Sequence, residues 1–375
     1  MTKSRTVLIV GGGIAGLTAG HALGREGHAV KLVERNPEWR TEGGGILVHA
    51  NGMRVLRAFR LGAAVERAGA RVTRWQFCDQ AGETLSQSNL VMLWGDVGNC
   101  IGIERSQLQR ILVDSIGDVE CRLELSIQSL SQNDECVSVV LSDGSRGTYD
   151  LLVGADGISS TVRRLMLNPS APTYTGAMAW RSVAPIRPRG LTSLQFHLGE
   201  NCFFGLCPVG QERTYGFGNI TGPRAHEPVL GRLGRLCRQF AGFSETVQDY
   251  LAALACDEAI HCAPVDWLAN ELWHRGRVVL IGDAAHASSP MMVQGGCMAM
   301  EDAYVLANTL GQAPTVAEAL DRYVERRRSR VHWVQQQSEA AAQSFRLSPS
   351  ERNLALRQYG DEIFMRRFSP LVAAP

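Results

Sequence analysis

Lysine is nearly missing from this 375-residue chain. Lys3 and Lys31 are the only two, so arginine carries almost all of the 38 basic charges. The scarcity reads as a genome-level bias rather than a functional mark. An excess of either charge sign is also missing: 38 basic and 37 acidic residues leave a net charge of +1, which gives no reason to expect nucleic acid or an anionic membrane surface. No apolar run approaches the ~20 residues that cross a bilayer, so no integral membrane segment is expected. The ten cysteines contain no CxxC pair and follow no regular spacing, which argues against a disulfide framework. They are expected to be reduced thiols in a cytoplasmic protein. The chain enters an apolar run at Thr6, which leaves no room for a targeting peptide. There is no internal repeat and no low-complexity tract. What remains is an ordinary globular composition, 45% hydrophobic and 20% charged, long enough for two or three domains.

Three short motifs then carry most of the information. Thr6 to Val10 is apolar and rich in β-branched residues, as a buried parallel strand would be. Gly11-Gly12-Gly13-Ile14-Ala15-Gly16 follows at once and opens a run of helical apolar spacing over 14–25. A second apolar run, Ala29 to Val33, ends in Glu34-Arg35. Each part has a physical role. Gly11 permits a tight turn, Gly13 lets backbone approach a pyrophosphate, and Gly16 lets the helix pack on the strand. The helix N-terminus presents free N–H groups to phosphate. A carboxylate ~20 residues on accepts both ribose hydroxyls. Glu34 therefore suits a ribose without a 2′-phosphate, that is FAD or NAD rather than NADP.

The second motif is Leu151-Leu152-Val153-Gly154-Ala155-Asp156-Gly157, a strand ending in a sharp turn. Ser159, Ser160 and Thr161 offer N-caps for a helix carrying Arg163. Alone, this is a generic strand-turn-helix. The third motif runs Gly276-Arg277-Val278-Val279-Leu280-Ile281-Gly282-Asp283-Ala284-Ala285-His286, then Pro290 and Gln294-Gly295-Gly296-Cys297-Met298-Ala299-Met300-Glu301-Asp302. Its acid falls at a strand's carboxyl end, where open α/β sheets bind ligands. Asp283 is placed either to bond a ribityl hydroxyl of FAD or to cap the next turn. The helix opening near Gly295 is placed to stabilise negative charge on a reduced flavin.

Together these residues resemble the class A flavoprotein aromatic hydroxylases, the para-hydroxybenzoate hydroxylase fold group. Gly11 to Glu34 matches the family's FAD fingerprint. Asp156-Gly157 with Arg163 matches its motif shared by FAD and NAD(P)H, and Gly282-Asp283 its ribityl motif. Ile103-Glu104-Arg105 looks like its FAD-contacting helix start, with Arg105 at the contact position. Gly43-Gly44-Gly45-Ile46 looks like the loop over which the flavin ring swings. The likeness runs from Val7 to about Gln337. Within the group it lies nearest the urate hydroxylase, alkylquinolone 3-monooxygenase and salicylate hydroxylase-like branch, which also shares Ala179-Trp180-Arg181. There are two departures. The residue before Gln294 is usually small, often Gly, and here it is Val293. Relatives that act on urate and alkylquinolones carry Arg near the start of the Cys202–Cys207 run, where this chain has Phe203. That loss argues for a more apolar ring.

The resemblance implies an α/β fold: a Rossmann-like FAD-binding domain, an inserted, mainly antiparallel substrate sheet, and C-terminal helices. The expected boundaries are 1–71, 101–171 and 265–345 for the FAD domain, 72–100 and 172–264 for the sheet, and 346–375 for a helical tail. The run Glu325-Arg326-Arg327-Arg328-Ser329-Arg330 is expected on a solvated helix face. The implied chemistry is NADH or NADPH reducing FAD, O2 adding at flavin C4a, and the hydroperoxide hydroxylating an aromatic or heteroaromatic ring of the phenol or quinolone kind. No metal is needed. The alternative is a related flavoenzyme doing epoxidation, Baeyer–Villiger oxidation or dehydrogenation; halogenation is disfavoured because no Trp-x-Trp-x-Ile-Pro signature or suitable lysine is present. The protein is expected to act as a monomer or homodimer.

Pro290 lies against substrate by family position, and Val293 borders the pocket. For the sheet residues two readings stand side by side. Tyr215 is a substrate contact or a core tyrosine. Arg181 binds an acidic group or makes a structural ion pair. His197 is a base or a sheet-surface histidine. Trp180, Phe203 and Phe204 line an apolar pocket or fill the core. His286 is expected behind the site, and Cys297 to serve packing.

Overall fold

A computed structural model describes residues 4–39, 44–166 and 170–375. Its centre is a six-stranded sheet in the order His274–Arg275, Val278–Leu280, Leu151–Gly154, Thr6–Val10, Ala29–Val33, Glu120–Arg122. All neighbours are parallel except the antiparallel edge strand His274–Arg275. Val7 to Ile9, Leu151 to Val153 and Val278 to Leu280 are fully buried. Continuous apolar runs suit this setting, because helices cover both faces of a parallel sheet. The strands leading into the three motifs are neighbours. Gly11, Ala155 and Gly282 therefore leave the sheet side by side at its carboxyl edge, although 271 residues separate the first from the last.

The second layer is a seven-stranded sheet in the order His261–Trp267, Thr173–Ala184, Thr214–Thr221, Cys202–Pro208, Leu194–Leu198, Arg74–Asp79, Thr84–Asn89. It draws on two stretches of chain, 74–89 and 173–267. It is antiparallel except between Leu194–Leu198 and Arg74–Asp79. Strand alternation divides its side chains between two faces. Trp180, Phe204 and Leu206 meet the helices Arg232–Gln239 and Glu245–Ala252 in a separate apolar cluster with Phe240 and Tyr250. Phe196, Phe203, Tyr215 and Phe217 belong to the main core on the opposite face.

Three long helices finish the chain: Gly295–Gln312, Val316–Ser344 and Pro349–Phe368. Thr315 and Ser348 cap the last two by accepting the N–H groups of Glu318 and Glu351. The final helix is packed rather than loose. Its Phe364 and Phe368 stack with each other and meet Trp75 at a tilt, and buried Arg352 donates 2.7 Å to the Gly199 carbonyl.

Candidate active site

The nucleotide end is built by glycines whose missing side chains are required. Gly11 adopts φ +111°, and a Cβ there would lie 2.4 Å from the Ala155 carbonyl oxygen. A Cβ on Gly16 would lie 1.8 Å from the Gly11 oxygen, so the helix can approach the strand turn only at glycine. Gly13 faces open space. It caps the helix Ile14–Arg25 with no side-chain bond, so that helix offers its first N–H groups to a ligand. Glu34 is half-buried beside them. Its Oε2 accepts the Gly12 N–H at 2.6 Å, and its Oε1 accepts both the backbone N–H (3.0 Å) and side-chain amide (2.7 Å) of Asn36. The carboxylate is thus fixed in orientation, while the neighbouring Arg35 is exposed.

Asp156 and Arg163 turn out to serve the protein's own backbone. Asp156 Oδ2 accepts the Thr161 and Val162 N–H groups at 2.7 and 3.1 Å, and its Oδ1 accepts the Ser160 hydroxyl. Ser160 in turn accepts the Arg163 N–H at 2.9 Å. Arg163 was expected at the cofactor. Its side chain is instead buried and donates to the carbonyls of Ala284 (2.8 Å) and Ile158 (2.6 Å). It clamps the second motif's turn to the third, where a guanidinium finds the carbonyl acceptors that burial requires. Gly157 follows at φ +79°.

The third motif forms the opposite wall. Gly282 (φ +59°) packs against Ala15, and a Cβ there would fall 2.9 Å from that of Ala15. Asp283 is exposed at the strand end, and Pro290 is exposed at the start of the turn Pro290–Met292. Val293 sits at φ +50°, ψ 34°, a left-handed conformation that explains why glycine suits this place. Gly295 faces open space, whereas a Cβ on Gly296 would lie 2.6 Å from Ile46 Cδ1. Gln294 was expected at the cofactor. Its side chain points away, buried against Asn51, which leaves only its backbone at the edge.

Gly44 leads into the strand Gly45–Val48, which pairs antiparallel with Cys100–Glu104 beside this edge; Gly43 lies outside the described residues. The Tyr215 side chain covers this segment so closely that a Cβ on Gly44 would lie 2.2 Å from its ring and one on Gly45 2.5 Å from its Cβ. Arg105, first residue of the helix Arg105–Ser115, donates its N–H to the Gly44 carbonyl at 3.1 Å. Arg181 lies on the same face, beside the Tyr215 phenol. Burial pushes that phenol up, and Arg181 and Arg105 oppose the shift.

Three sheet residues are corrected by the alternation of the strands. Trp180, Phe204 and His197 face the outer helices, not the site. His197 lies within 3.0 Å of the Ser244 hydroxyl and 3.2 Å of Gln195 Oε1. Burial pushes its pKa down to about 4, so it is a neutral structural imidazole. Phe203 does face inward, in a run of touching rings. Tyr215 meets Phe217 at 5.1 Å, Phe217 meets Phe196 at 5.4 Å, Phe196 meets Phe203 at 5.6 Å, and Phe203 meets Phe345 at 5.3 Å. Phe196, Phe217 and Phe345 are additions to the expected set. The alternation in Thr214-Tyr215-Gly216-Phe217 puts Phe217 beside Tyr215. No local signal brings Phe345 there from a helix end.

Comparison with known proteins places the fold in a known lineage. Residues 4–338 match the FAD binding domain family. This chain belongs to that family. It is an FAD-dependent monooxygenase of the class A type. It is 35% identical over 327 residues to the aurachin C monooxygenase/isomerase of Stigmatella aurantiaca, covering 86% of this chain and 85% of the relative. It is 30% identical to the 2-heptyl-3-hydroxy-4(1H)-quinolone synthase of Pseudomonas aeruginosa, covering 89% and 87%. The crystal structure of Klebsiella pneumoniae HpxO with FAD and uric acid superposes with a TM-score of 0.90 at 27% identity, over 98% and 97% of the two chains.

The residues present fit FAD. Open space at Gly13 and Gly295, two helix N-termini without side-chain caps, and the exposed Asp283 carboxylate all fall on one edge. Behind this FAD edge of the monooxygenase is a buried polar network that corrects another expectation. Arg327, expected on a solvated face, has no exposed surface. It donates to Asp302 Oδ1 at 2.8 Å and Glu301 Oε2 at 2.6 Å. Arg330 donates twice more to Glu301, at 2.8 Å each. Asp302 Oδ2 accepts the Gly282 N–H at 2.9 Å and lies 2.5 Å from His286 Nε2. Burial pushes both carboxyls up, but the surrounding cations and hydrogen bonds outweigh it and leave each below its ordinary range. The acidic pair stood in the third motif; its basic partners carried no such signal. Nearby Cys297 is buried, which pushes its thiol up to about 12.

Proposed function

We propose that this monooxygenase hydroxylates an uncharged, phenol-like or quinolone-like ring, with NADH or NADPH as reductant and O2 as oxygen donor. The observation that carries the proposal is the aromatic surface that Tyr215 and Phe217 present beside Gly44 and Gly45, backed by the buried rings of Phe196 and Phe203. Arg181 and the Tyr215 phenol are the polar groups beside it. The names of the aurachin and quinolone relatives point to rings of this kind. Phe203 stands where relatives acting on urate and on alkylquinolones carry arginine, so the pocket favours a ring less polar than urate.

FAD, when bound, supplies the redox chemistry that activates oxygen. The chain's own part is to hold the ring, exclude water and manage one proton. Gly11, Gly13, Gly16, Glu34, Arg105 and Asp283 hold the cofactor. The aromatic wall stacks the ring in a dry setting. The Tyr215 phenol stays protonated across the physiological range and hydrogen-bonds the substrate's ring oxygen. Arg181 beside it stabilises negative charge developing on that oxygen as the ring becomes electron-rich. Net, one oxygen atom enters the ring and the other leaves as water, as the nicotinamide gives up a hydride and one proton is taken from solvent.

Among the described residues no helix is long and apolar enough to cross a membrane. The ten cysteines are unpaired, which suits a reducing, cytoplasmic setting. The test is oxidation of NADH and NADPH by the FAD-loaded protein across phenols, quinolones, hydroxyquinolines and purines, with product mass. Stimulation by one neutral ring class, with a product one oxygen heavier, is expected. Stimulation by urate, or loss of two hydrogens, would overturn the proposal.

A further inference from the structure

Five non-glycine residues among those described have positive φ: Arg60, Glu124, Asn201, Glu212 and Val293. Val293 is the only β-branched one, and its branched Cβ crowds the backbone most in that region. It sits in the turn that leads directly into Gly295 and Gly296 at the FAD edge. Such a conformation persists only where the surroundings over-determine it.

The next residue supplies the restraint. Gln294 is buried, and its side-chain amide pairs with that of Asn51. Asn51 Nδ2 donates to Gln294 Oε1 at 3.0 Å, and Gln294 Nε2 returns a bond to Asn51 Oδ1 at 3.4 Å. Asn51 is itself held. Its Nδ2 also donates 2.9 Å to Glu301 Oε1, and this carboxylate is locked by Arg327 and Arg330. A carboxylate can only accept, so it fixes which way the Asn51 amide faces, and through it the Gln294 amide. Nothing else about this pair is required by a core: an apolar contact would fill the same space without orientation.

We propose that Asn51 and Gln294 form a positioning clasp that holds Val293 in its left-handed conformation and so presents the Gly295–Gly296 turn to FAD. The clasp touches neither substrate nor reacting atoms. It rests on FAD binding alone, not on which ring is hydroxylated.

The test is a double-mutant cycle read as the FAD dissociation constant of apoprotein, with the flavin absorption spectrum and midpoint potential as second readouts. Asn51→Ala leaves Val293 free to relax and raises the FAD dissociation constant about tenfold, the effect of losing one or two oriented buried hydrogen bonds. Val293→Gly makes the same backbone unstrained. In the Asn51→Ala background it brings the constant back to within about threefold of the parent and restores the flavin spectrum. Gln294→Met breaks the clasp from the other side and must show the same rescue, which keeps the test open if Asn51→Ala does not fold. Unchanged affinity in both clasp variants, or a Val293→Gly effect equal in all backgrounds, would overturn the proposal. Failure of the parent protein to bind FAD would strike at the cofactor assignment instead.

Discussion

Replacing Arg327 with Met tests the buried network most directly. The side chain has no exposed surface and pairs with two carboxylates that are themselves fully buried. Met fills most of the volume, so the chief loss is charge. Removing one partner of a buried ion pair costs about 3–5 kcal/mol, because a buried charge is left uncompensated. Here the lower end applies. Glu301 keeps Arg330 and Asn51, and Asp302 keeps His286 and the Gly282 N–H. With an unfolding entropy of roughly 2.1 cal/mol/K per residue, about 3 kcal/mol lowers Tm by roughly 4 °C in a chain of this size. The pH dependence has a definite sign. In the parent, both carboxyls lie below their ordinary values, so their contribution is complete above about pH 5.5 and falls away at lower pH. In the variant one compensating cation is lost, so the carboxyl pKa values rise relative to the parent. They take up protons at higher pH than in the parent, and the deficit shrinks on acidification. Thermal unfolding of both holoproteins at pH 7 and pH 5 measures this. An unchanged Tm at pH 7, or a deficit that widens on acidification, would refute the reasoning.

Four further outcomes are expected. Gly44→Ala places a methyl 2.2 Å from the Tyr215 ring and should cost about 1–3 kcal/mol by overpacking, read as a lower Tm together with reduced turnover. Tyr215→Phe removes the phenol but not the ring. Turnover should drop about a hundredfold with little change in Tm, whereas equal turnover would remove Tyr215 from the proton chemistry. Phe203→Arg should weaken binding of a neutral ring about tenfold and favour anionic rings, measured as a reversal of relative kcat/KM across the panel. His197→Gln should leave turnover within about twofold, since His197 faces the outer helices. The parent imidazole has its pKa lowered to about 4 from 6.5, so it destabilises the fold progressively as pH drops below 6.5. The variant should lose that part of the acid sensitivity in denaturation between pH 7 and pH 4.

The apolar strands, the glycine spacing and the acid after each strand were readable because local chemistry dictates them. A central parallel strand covered on both faces is apolar almost throughout, and Gly11 and Gly16 leave no room for a Cβ wherever this turn forms. The mainly antiparallel second sheet was implied by the family resemblance; its two stretches of chain, 74–89 and 173–267, meet only in the folded protein. Which face of that sheet meets the site was not legible, since period-two alternation gives two equivalent faces until helices cover one. The helices Arg232–Gln239 and Glu245–Ala252 decided it, and carried Trp180, His197 and Phe204 away. The run around Arg327 reads as a solvated face until two carboxylates from another helix meet it in the core. Arg163 likewise has the sequence position of a cofactor ligand and becomes a clamp because the Ala284 carbonyl reaches it first. The sequence by itself determined the sheet edge, its glycines and its FAD chemistry, all properties of short segments. The tertiary structure alone decided which polar side chains face ligand and which face each other, because that depends on partners far apart in the chain.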